Sequence, residues 1–528
     1  MDSAPTDHQP RTAAHVADLV ALAAARVPDQ PAVVDVSEPG SAPRTLTWAR
    51  FDAAVTAEAV RLRGAGVGRG DRVVVRLGNG AGFCVAVLGA LRAGAVAVPH
   101  GPIAVLRELE IVVADAGPAV VVAADDDTAA RACAGQAGAR LLPPPDLDPA
   151  PVDPSGVPDQ GPGGEELALL VYTSGTTGRP RGVQLSHRAL LANREQTAAV
   201  RPSPVTPVDR VLLSLPLFHV FGLAAGLLQT CWAGATVVVT DRFEPEHVVE
   251  VLERQRISTV AGVPSMFRAL LDVPAARLRA ATSGVRLCTS GGAPLPPEWL
   301  ASFQEITGLP IYEGYGLTEG GPVITTNAIG GVAKPGSVGR PLPGIELRLV
   351  DTEGRPLDEP DEPDPDDLDE YASDPSDDTG LVSLRGPNLF SGYWPDGAGG
   401  PDEEGWFRTA DVGFLDADGD LHLVDRSSDV VIVSGFNVYP REVEQVLLEL
   451  EGVAEAAVVG TPDERRGERV RAVLVRAPGV ELTDEEVRAH CTERLARFKV
   501  PSTIEFVDAL PRTPTGKVAR RTLAEQLR

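Results

Sequence analysis

Tyr172-Thr173-Ser174-Gly175-Thr176-Thr177-Gly178-Arg179-Pro180-Arg181-Gly182-Val183 follows directly on the apolar run Leu167-Ala168-Leu169-Leu170-Val171. An apolar run of that length breaking into hydroxyl residues and glycines predicts a buried strand that ends in a tight loop. Loops of this composition hold phosphates. The glycines let successive N–H groups converge on one anion, Thr173, Ser174, Thr176 and Thr177 bring hydroxyl donors, and Arg181 brings fixed positive charge. A Ser/Gly-rich surface turn is the plainer alternative. Six such residues in a row after a strand, Thr173 to Gly178, favour the phosphate. The lysine and second glycine of a Gly-x-x-x-x-Gly-Lys-Ser/Thr loop are not at their spacing, so this is a different kind of phosphate loop.

Around it the chain repeats a pattern. Asp71-Arg72-Val73-Val74-Val75 begins a strand, Gly82 to Leu91 reads as a helix and Gly94 to Val98 as the next strand. Later, Asp209-Arg210-Val211-Leu212-Leu213 begins a strand, Phe221 to Trp232 reads as a helix and Gly234 to Val239 as a strand. Both units open with Asp-Arg-Val, which predicts two similar α/β subdomains joined by the Pro/Gly/Asp-rich linker Pro143 to Glu166. An alanine-rich helix over His15 to Val27 precedes them. The last hundred or so residues read as a separate α+β unit. It has a strand over Val430 to Val433, a loop over Gly435 to Tyr439, a helix over Arg441 to Leu450, and a capping box Thr483-Asp484-Glu485-Glu486 opening a helix to about Phe498.

A chain of 528 residues exceeds what one hydrophobic core organises. Its formal charge of −26 argues against nucleic acid or an anionic membrane as partner. Much of that charge is local: Asp358 to Asp378 holds 12 acidic residues and no basic one, and reads as a solvated, mobile insertion. The five cysteines are scattered without a Cys-x-x-Cys pair, Met1 to Asp7 has no features of a secretion signal, and no apolar run reaches membrane-spanning length. A cytoplasmic protein with buried thiols is expected. Of 48 basic residues only Lys334, Lys499 and Lys517 are lysine, so any lysine here is a candidate for a task arginine cannot perform.

The phosphate loop closely resembles the signature loop of the adenylate-forming superfamily, which comprises acyl-CoA synthetases, adenylation domains and beetle luciferases. Arg181 stands where that family usually has lysine. The resemblance extends, in the family's order, over Leu215-Pro216-Leu217-Phe218-His219-Val220-Phe221-Gly222-Leu223, Ser290-Gly291-Gly292-Ala293-Pro294-Leu295, Tyr312-Glu313-Gly314-Tyr315-Gly316-Leu317-Thr318-Glu319, Gly405 to Gly413, Asp425 to Asp429 and Pro511 to Val518.

The resemblance implies a large N-terminal domain, residues 1–426, of two similar α/β subdomains plus a β-barrel-like part. A small mobile α+β domain, residues 427–528, would follow it. It implies ATP, Mg²⁺ and coenzyme A as cofactor and co-substrates. Gly291, Gly292 and Ala293 would form one wall of the adenine site and Tyr315 would stack on the base, with Gly314 and Gly316 keeping an acyl channel clear. Thr318 would bond the α-phosphate, Glu319 would hold Mg²⁺, and Asp411 and Arg426 would take the ribose. Gly435 would line the thiol's tunnel. His219 would lie beside the acyl carboxylate with Gly222 leaving room for it, and Lys517 would be the catalytic lysine. Ser428 replaces the family's usual Asp or Lys at the hinge.

The chemistry implied is ATP-dependent activation of a carboxylic acid through an acyl-adenylate to a thioester. A fatty acid is the leading substrate. Malonate, for which Arg242 or Arg286 would supply a pocket cation, an aryl acid, or an acyl carrier protein in place of coenzyme A remain alternatives. An adenylate-binding protein without turnover is disfavoured by the presence of Lys517 and Glu319.

Overall fold

The computed structural model describes residues 13–37, 41–157, 163–174, 180–329, 331–357, 379–426, 429–433, 436–463, 467–495, 497–512 and 518–527. The acidic run 358–378 and the hinge residue Ser428 lie outside the described residues. The chain divides into two compact units, Met1–Glu346 with Arg385–Phe407, and Leu347–Leu384 with Arg408–Arg528.

The first unit is built on two sheets. In one, the spatial order is Arg140–Leu142, Val120–Ala123, Arg72–Arg76, Val96–Pro99, Leu167–Ser174, Pro180–Ser186. All neighbours are parallel except the last pair. The other has nine strands in the order Arg340–Pro341, Val323–Thr326, Ile311–Gly316, Leu287–Gly291, Thr259–Gly262, Arg210–Leu213, Thr236–Val239, Pro31–Asp35, Arg44–Thr47, parallel from Ile311–Gly316 through Pro31–Asp35.

The two Asp-Arg-Val repeats head equivalent strands. In each sheet the next strand in sequence pairs on one side of the repeat strand and the one after it pairs on the other. The local hydrogen bonds match as well. Asp71 accepts from Gly68 N–H at 2.7 Å and Asp209 from Thr206 N–H at 2.7 Å. The Asp71 carbonyl accepts from Val96 N–H and that of Asp209 from Thr236 N–H. The aspartate closes the turn and the following residues enter the ladder, which is why the tripeptide recurs.

Alternation along the strands makes the layers. Val73, Val75, Val120 and Val122 face a helical layer that also receives Leu213, Val237 and Val239 from the second sheet. The intervening residues face outward, Val74 and Val121 onto the helices Leu106–Ala116 and Thr128–Ala137. On the second sheet, Leu212 and Val238 face the helices Pro245–Gln255, Ala275–Ala281 and Pro297–Thr307. Successive side chains point to opposite faces, so continuous valine runs require cover on both sides. Helix Ala81–Arg92, apolar on every face, lies in the central layer with all but Gly82 buried.

The helix expected over Phe221 to Trp232 is a π-helix over Phe221–Leu228, continued as an α-helix over Gln229–Ala233. It packs closely at its glycines: a Cβ on Gly222 would lie 2.3 Å from the Pro216 carbonyl oxygen, and one on Gly226 2.5 Å from Leu213 Cδ1. Gly222 therefore admits a backbone carbonyl, and the expectation that it leaves room for an acid is corrected. Gly314 and Gly316 are corrected in the same way. Their missing side chains would meet the Thr325 carbonyl oxygen at 2.8 Å and the Pro322 carbonyl oxygen at 2.1 Å, so they admit the neighbouring chain and do not clear a channel.

The second unit holds most of a four-stranded sheet, Glu346–Val350, Gly380–Arg385, Trp406–Leu415 and Leu421–Arg426. It also holds a five-stranded sheet of Phe436–Val438, Val431–Val433, Gly467–Arg476, Val453–Asp463 and Thr503–Val507. Residues 436–438, expected as loop, pair antiparallel with Val431–Val433, because Val438 is needed in the core beside Val443 and Leu447. The capping box forms as expected, Thr483 Oγ1 accepting from Glu486 N–H at 3.3 Å. The helix ends at Arg494, where Leu495 takes an extended backbone. No helix among the described residues is long and apolar enough to cross a membrane.

A buried histidine pair near the N-terminus sets a pH dependence. His15 and His187 lie with ring centroids 3.6 Å apart, each 2 % exposed, and their Nδ1 atoms accept from Ala17 N–H and Val16 N–H, both at 3.2 Å. Burial lowers their pKa values to about 4 and about 3. Because the folded values lie below the unfolded 6.5, the stability they contribute is complete above pH 6.5 and is lost as pH falls below it. At pH 5 the loss is roughly 2 kcal/mol per histidine. The thermal midpoint of the wild type should therefore fall more steeply between pH 7 and 5 than that of His187→Asn, which keeps an acceptor near Nδ1. Parallel curves would refute the assignment.

Candidate active site

In the nine-stranded sheet the winding reverses at Arg210–Leu213, which has Thr236–Val239 on one side and Thr259–Gly262 on the other. Open α/β sheets bind ligands outside the carboxyl ends of the strands at such a reversal. The segments that leave those ends converge here. A Cβ on Gly291 would lie 3.4 Å from both the Phe221 ring and the Gly314 carbonyl oxygen, and one on Gly292 would lie 3.8 Å from Val263. Gly292 has φ +81°, a backbone that favours glycine, and it is exposed together with Ala293. Gly291, Tyr315 and Thr318 are buried, the last two at 7 % exposure, and Gly316 is open to solvent. The structure thus brings Gly291, Gly292, Ala293, Tyr315, Gly316, Thr318 and Glu319 to one edge, beside the π-helix that starts after His219. The His219 ring is half-buried and its Nδ1 accepts from Phe221 N–H at 3.2 Å, which places the proton of the neutral ring on Nε2.

The predicted phosphate strand is present as Leu167–Ser174, forming a hairpin with Pro180–Ser186 in which Thr173 is the register partner of Arg181. Gly175, Thr176, Thr177 and Gly178 lie outside the described residues, and for Ser174 only the backbone is described. Arg181 is exposed, its guanidinium carbon 3.5 Å above the Tyr393 ring centroid. The Tyr393 hydroxyl donates to Glu319 Oε1 at 2.7 Å, and Phe390 N–H donates to the Glu319 carbonyl at 2.9 Å. One tyrosine therefore bridges the phosphate hairpin to the predicted metal ligand. Sequence reasoning passed over Tyr393. Its place in Gly392-Tyr393-Trp394, in a chain with only six tyrosines, was the available signal.

Glu319 fits a hard cation: one carboxylate oxygen is oriented by a phenol, and Oε2 has no hydrogen-bond partner among the described residues.

A second residue was also missed. Glu313, 4 % exposed, accepts from Leu295 N–H through Oε2 at 3.1 Å and so pins the loop Gly291–Pro294 from beneath. Its Oε1 and the Oγ of its register partner Ser290 are buried without hydrogen-bond partners among the described residues. Burial raises the Glu313 pKa to about 7. The folded value lies above the unfolded one, so the neutral form favours the fold and stability is lost as pH rises through 7. Glu313→Gln keeps the acceptor and cannot ionise. It should raise the thermal midpoint at pH 8 by a few degrees and change it far less at pH 4, below the unfolded value, and equal shifts at both would reject the argument.

Arg242 and Arg286 both carry carboxylate partners, the first in an exposed surface pair and the second partly buried. Arg242 pairs with Glu244, and Arg286 donates from Nε to Asp209 at 2.8 Å, at the opposite, amino-terminal end of the parallel strands.

In the second unit, Asp411 and Arg426 are register partners on adjacent antiparallel strands. Asp411 is half-buried, and of Arg426 only the backbone is described. Gly435 and Lys517 lie outside the described residues. Of the other lysines, Lys499 is buried and donates to Glu442 at 2.8 Å, a structural pair.

Comparison with known proteins agrees with this geometry. Residues 20–394 match the AMP-binding enzyme family and residues 442–517 match the AMP-binding enzyme C-terminal domain. A long-chain-fatty-acid–CoA ligase of Bacillus subtilis (strain 168) is 31% identical over 514 residues, covering 87% of this chain and 86% of that protein. A feruloyl-CoA synthase of Amycolatopsis sp is 36% identical over 481 residues, covering 90% of this chain and 92% of that protein. The crystal structure of ATP-bound MatB from Rhodopseudomonas palustris superposes with a TM-score of 0.86 at 31% identity, covering 97% of this chain and 98% of that one. On these matches the chain belongs to the AMP-binding enzyme family of the adenylate-forming superfamily.

Proposed function

We propose that this AMP-forming acid–thiol ligase, which uses ATP, Mg²⁺ and coenzyme A, takes a fatty acid as its acid and transfers it to the coenzyme A thiol. The observation that carries the acid is the segment Leu215 to Leu228. Its half-buried edge at Phe218 and Phe221 is apolar, and its neighbours Gly291 and Val263 offer no cation. Of the residues suggested as a dicarboxylate's counter-charge, Arg286 is engaged by Asp209 at the far end of the strands and Arg242 lies in an exposed surface pair with Glu244.

In the first step the substrate carboxylate attacks the α-phosphorus of ATP. The new bond is carboxyl oxygen to phosphorus, and the bond to the bridging oxygen breaks to release pyrophosphate. Two anions must meet, so the chain supplies positive charge: the hairpin with Thr173, Ser174, Gly175, Thr176, Thr177, Gly178 and Arg181 cradles the outer phosphates, and Lys517 bridges carboxylate and α-phosphate. Mg²⁺, held by Glu319, would neutralise phosphate oxygens. Tyr315 and the Gly291-Gly292-Ala293 loop position adenine, Thr318 the α-phosphate, and Asp411 with Arg426 the ribose, whose two hydroxyls suit a carboxylate's two oxygens. His219 orients the carboxylate through Nε2.

In the second step the thiol sulfur attacks the acyl carbon, the acyl–oxygen bond breaks and AMP leaves. Residues 427–528 swing to withdraw Lys517 and present Gly435 to the thiol. AMP is a good leaving group, so alignment matters more than an acid or base. We place the enzyme in the cytoplasm, where its five free, buried cysteines stay reduced.

The test is pyrophosphate release across fatty, aryl and dicarboxylic acids, each with coenzyme A, with an acyl carrier protein, or with neither. Acyl-CoA formed fastest from fatty acids supports the reading. Preference for an aryl acid, a dicarboxylate or the carrier protein overturns that part of it.

A further inference from the structure

Arg194, on the helix His187–Ala199 that follows the phosphate hairpin, is fully buried at 0 % exposure. Among the described residues no carboxylate pairs with it, and burial pushes its pKa down to about 9. Its guanidinium instead donates to backbone and amide oxygens on three elements. Nη1 donates to the Ala224 carbonyl inside the π-helix, and Nη2 donates to the Asn193 amide oxygen and, at 3.1 Å, to the Gly321 carbonyl. Nε has no partner.

Both far acceptors belong to parts of the site. Ala224 lies three residues beyond Phe221, and the wide π-turn sends its carbonyl to Gln229 N–H as well as to Arg194. Gly321 closes the short turn Thr318–Gly320, which carries Glu319. Asn193 reinforces this end, donating to the Val323 carbonyl at 2.7 Å and accepting from Val323 N–H at 3.1 Å, and Asn388 donates to the Gly320 carbonyl at 2.8 Å.

A buried, uncompensated cation is costly, and replacing such a group by an apolar side chain of similar volume is often neutral or stabilising. Stability alone therefore gives no reason to keep a guanidinium here. Its planar fork can hold two carbonyls at a fixed separation, which a flexible ammonium or a thioether cannot. We propose that Arg194 is a positioning residue: it fixes the spacing between the acyl segment around Phe221 and the turn bearing Thr318 and Glu319, so that bound carboxylate and α-phosphate meet at reacting distance. This role rests on the ligase reading above and deepens it.

The experiment compares wild type with Arg194→Met and Arg194→Lys in four measurements: thermal midpoint, binding of ATP by calorimetry at several Mg²⁺ concentrations, and kcat and KM for pyrophosphate release with the best fatty acid. A misplacement of about 1 Å costs on the order of 100-fold in rate. Arg194→Met should keep or raise the thermal midpoint, lower kcat by tens of fold with KM for ATP within about threefold, and need several-fold more Mg²⁺ for tight ATP binding. Arg194→Lys, able to reach one carbonyl, should recover part of kcat. Should Arg194→Met fail to fold, the lysine variant carries the same comparison. Either variant with wild-type kcat and Mg²⁺ dependence overturns the proposal, as does a loss of activity that only tracks a loss of folded protein. A wild type that releases pyrophosphate with no acid overturns the ligase reading itself and this role with it, whereas an active wild type with indifferent variants removes this role alone.

Discussion

Lys517→Ala should abolish acyl-adenylate formation, lowering pyrophosphate release by roughly 10²–10³-fold, while leaving thioester formation from supplied acyl-adenylate near the wild-type rate. The first half-reaction brings a carboxylate onto a phosphorus already surrounded by negative oxygens, and a single ammonium between the two relieves that repulsion where charge develops. The second half-reaction has no such meeting of anions. In a chain whose 48 basic residues include only three lysines, the choice of lysine at this position is informative. Lys499 is spent on Glu442 within the second unit, and Lys334 belongs to the first unit. An ammonium is a compact charge on a flexible stem, so Lys517→Arg should rescue poorly, because a rigid fork cannot bridge two oxygens on different molecules in the same space. Equal loss in both half-reactions would show that Lys517 serves folding or general binding instead.

Glu319→Gln is the second large effect expected. The amide keeps an oxygen for the Tyr393 hydroxyl, so the turn should stay in place, but the formal charge offered to the cation is gone. Adenylate formation should fall by roughly 10²-fold or more, with the half-saturating Mg²⁺ concentration raised by a similar order. Tyr393→Phe supplies the graded companion. It removes one hydrogen bond to a charged group, about 1.5–3 kcal/mol, and should cost roughly ten- to a hundredfold with the same direction of Mg²⁺ dependence. An unchanged Mg²⁺ requirement in Glu319→Gln would remove Glu319 from the metal site.

Much of the site was readable along the chain because its parts are local. Hydroxyls and glycines after an apolar run form a hairpin whatever lies elsewhere, and the Thr318–Glu319 turn follows its own strand. What could not be read depends on contacts between distant segments. Tyr393 meets Glu319 across 74 residues of sequence and Arg194 meets Gly321 across 127, and neither pairing leaves a periodic or compositional trace. Glycines misled for the same reason. Gly222, Gly314 and Gly316 lack side chains, but sequence does not say what fills the space, and in each case it is a backbone carbonyl.

The sequence by itself determined that this protein has two repeated α/β windings, a strand breaking into a hydroxyl- and glycine-rich segment between them and a separate C-terminal α+β unit, because valine runs, turn aspartates and caps act within a few residues of themselves. Only the tertiary structure decided that a tyrosine ties the hairpin to Glu319, that Arg286 is engaged by Asp209 at the far end of the strands, and that a buried guanidinium joins the π-helix after His219 to the turn bearing Glu319. Those are choices of partner, and a side chain's partner is set by which strand ends and helix faces the packed layers bring within hydrogen-bond reach.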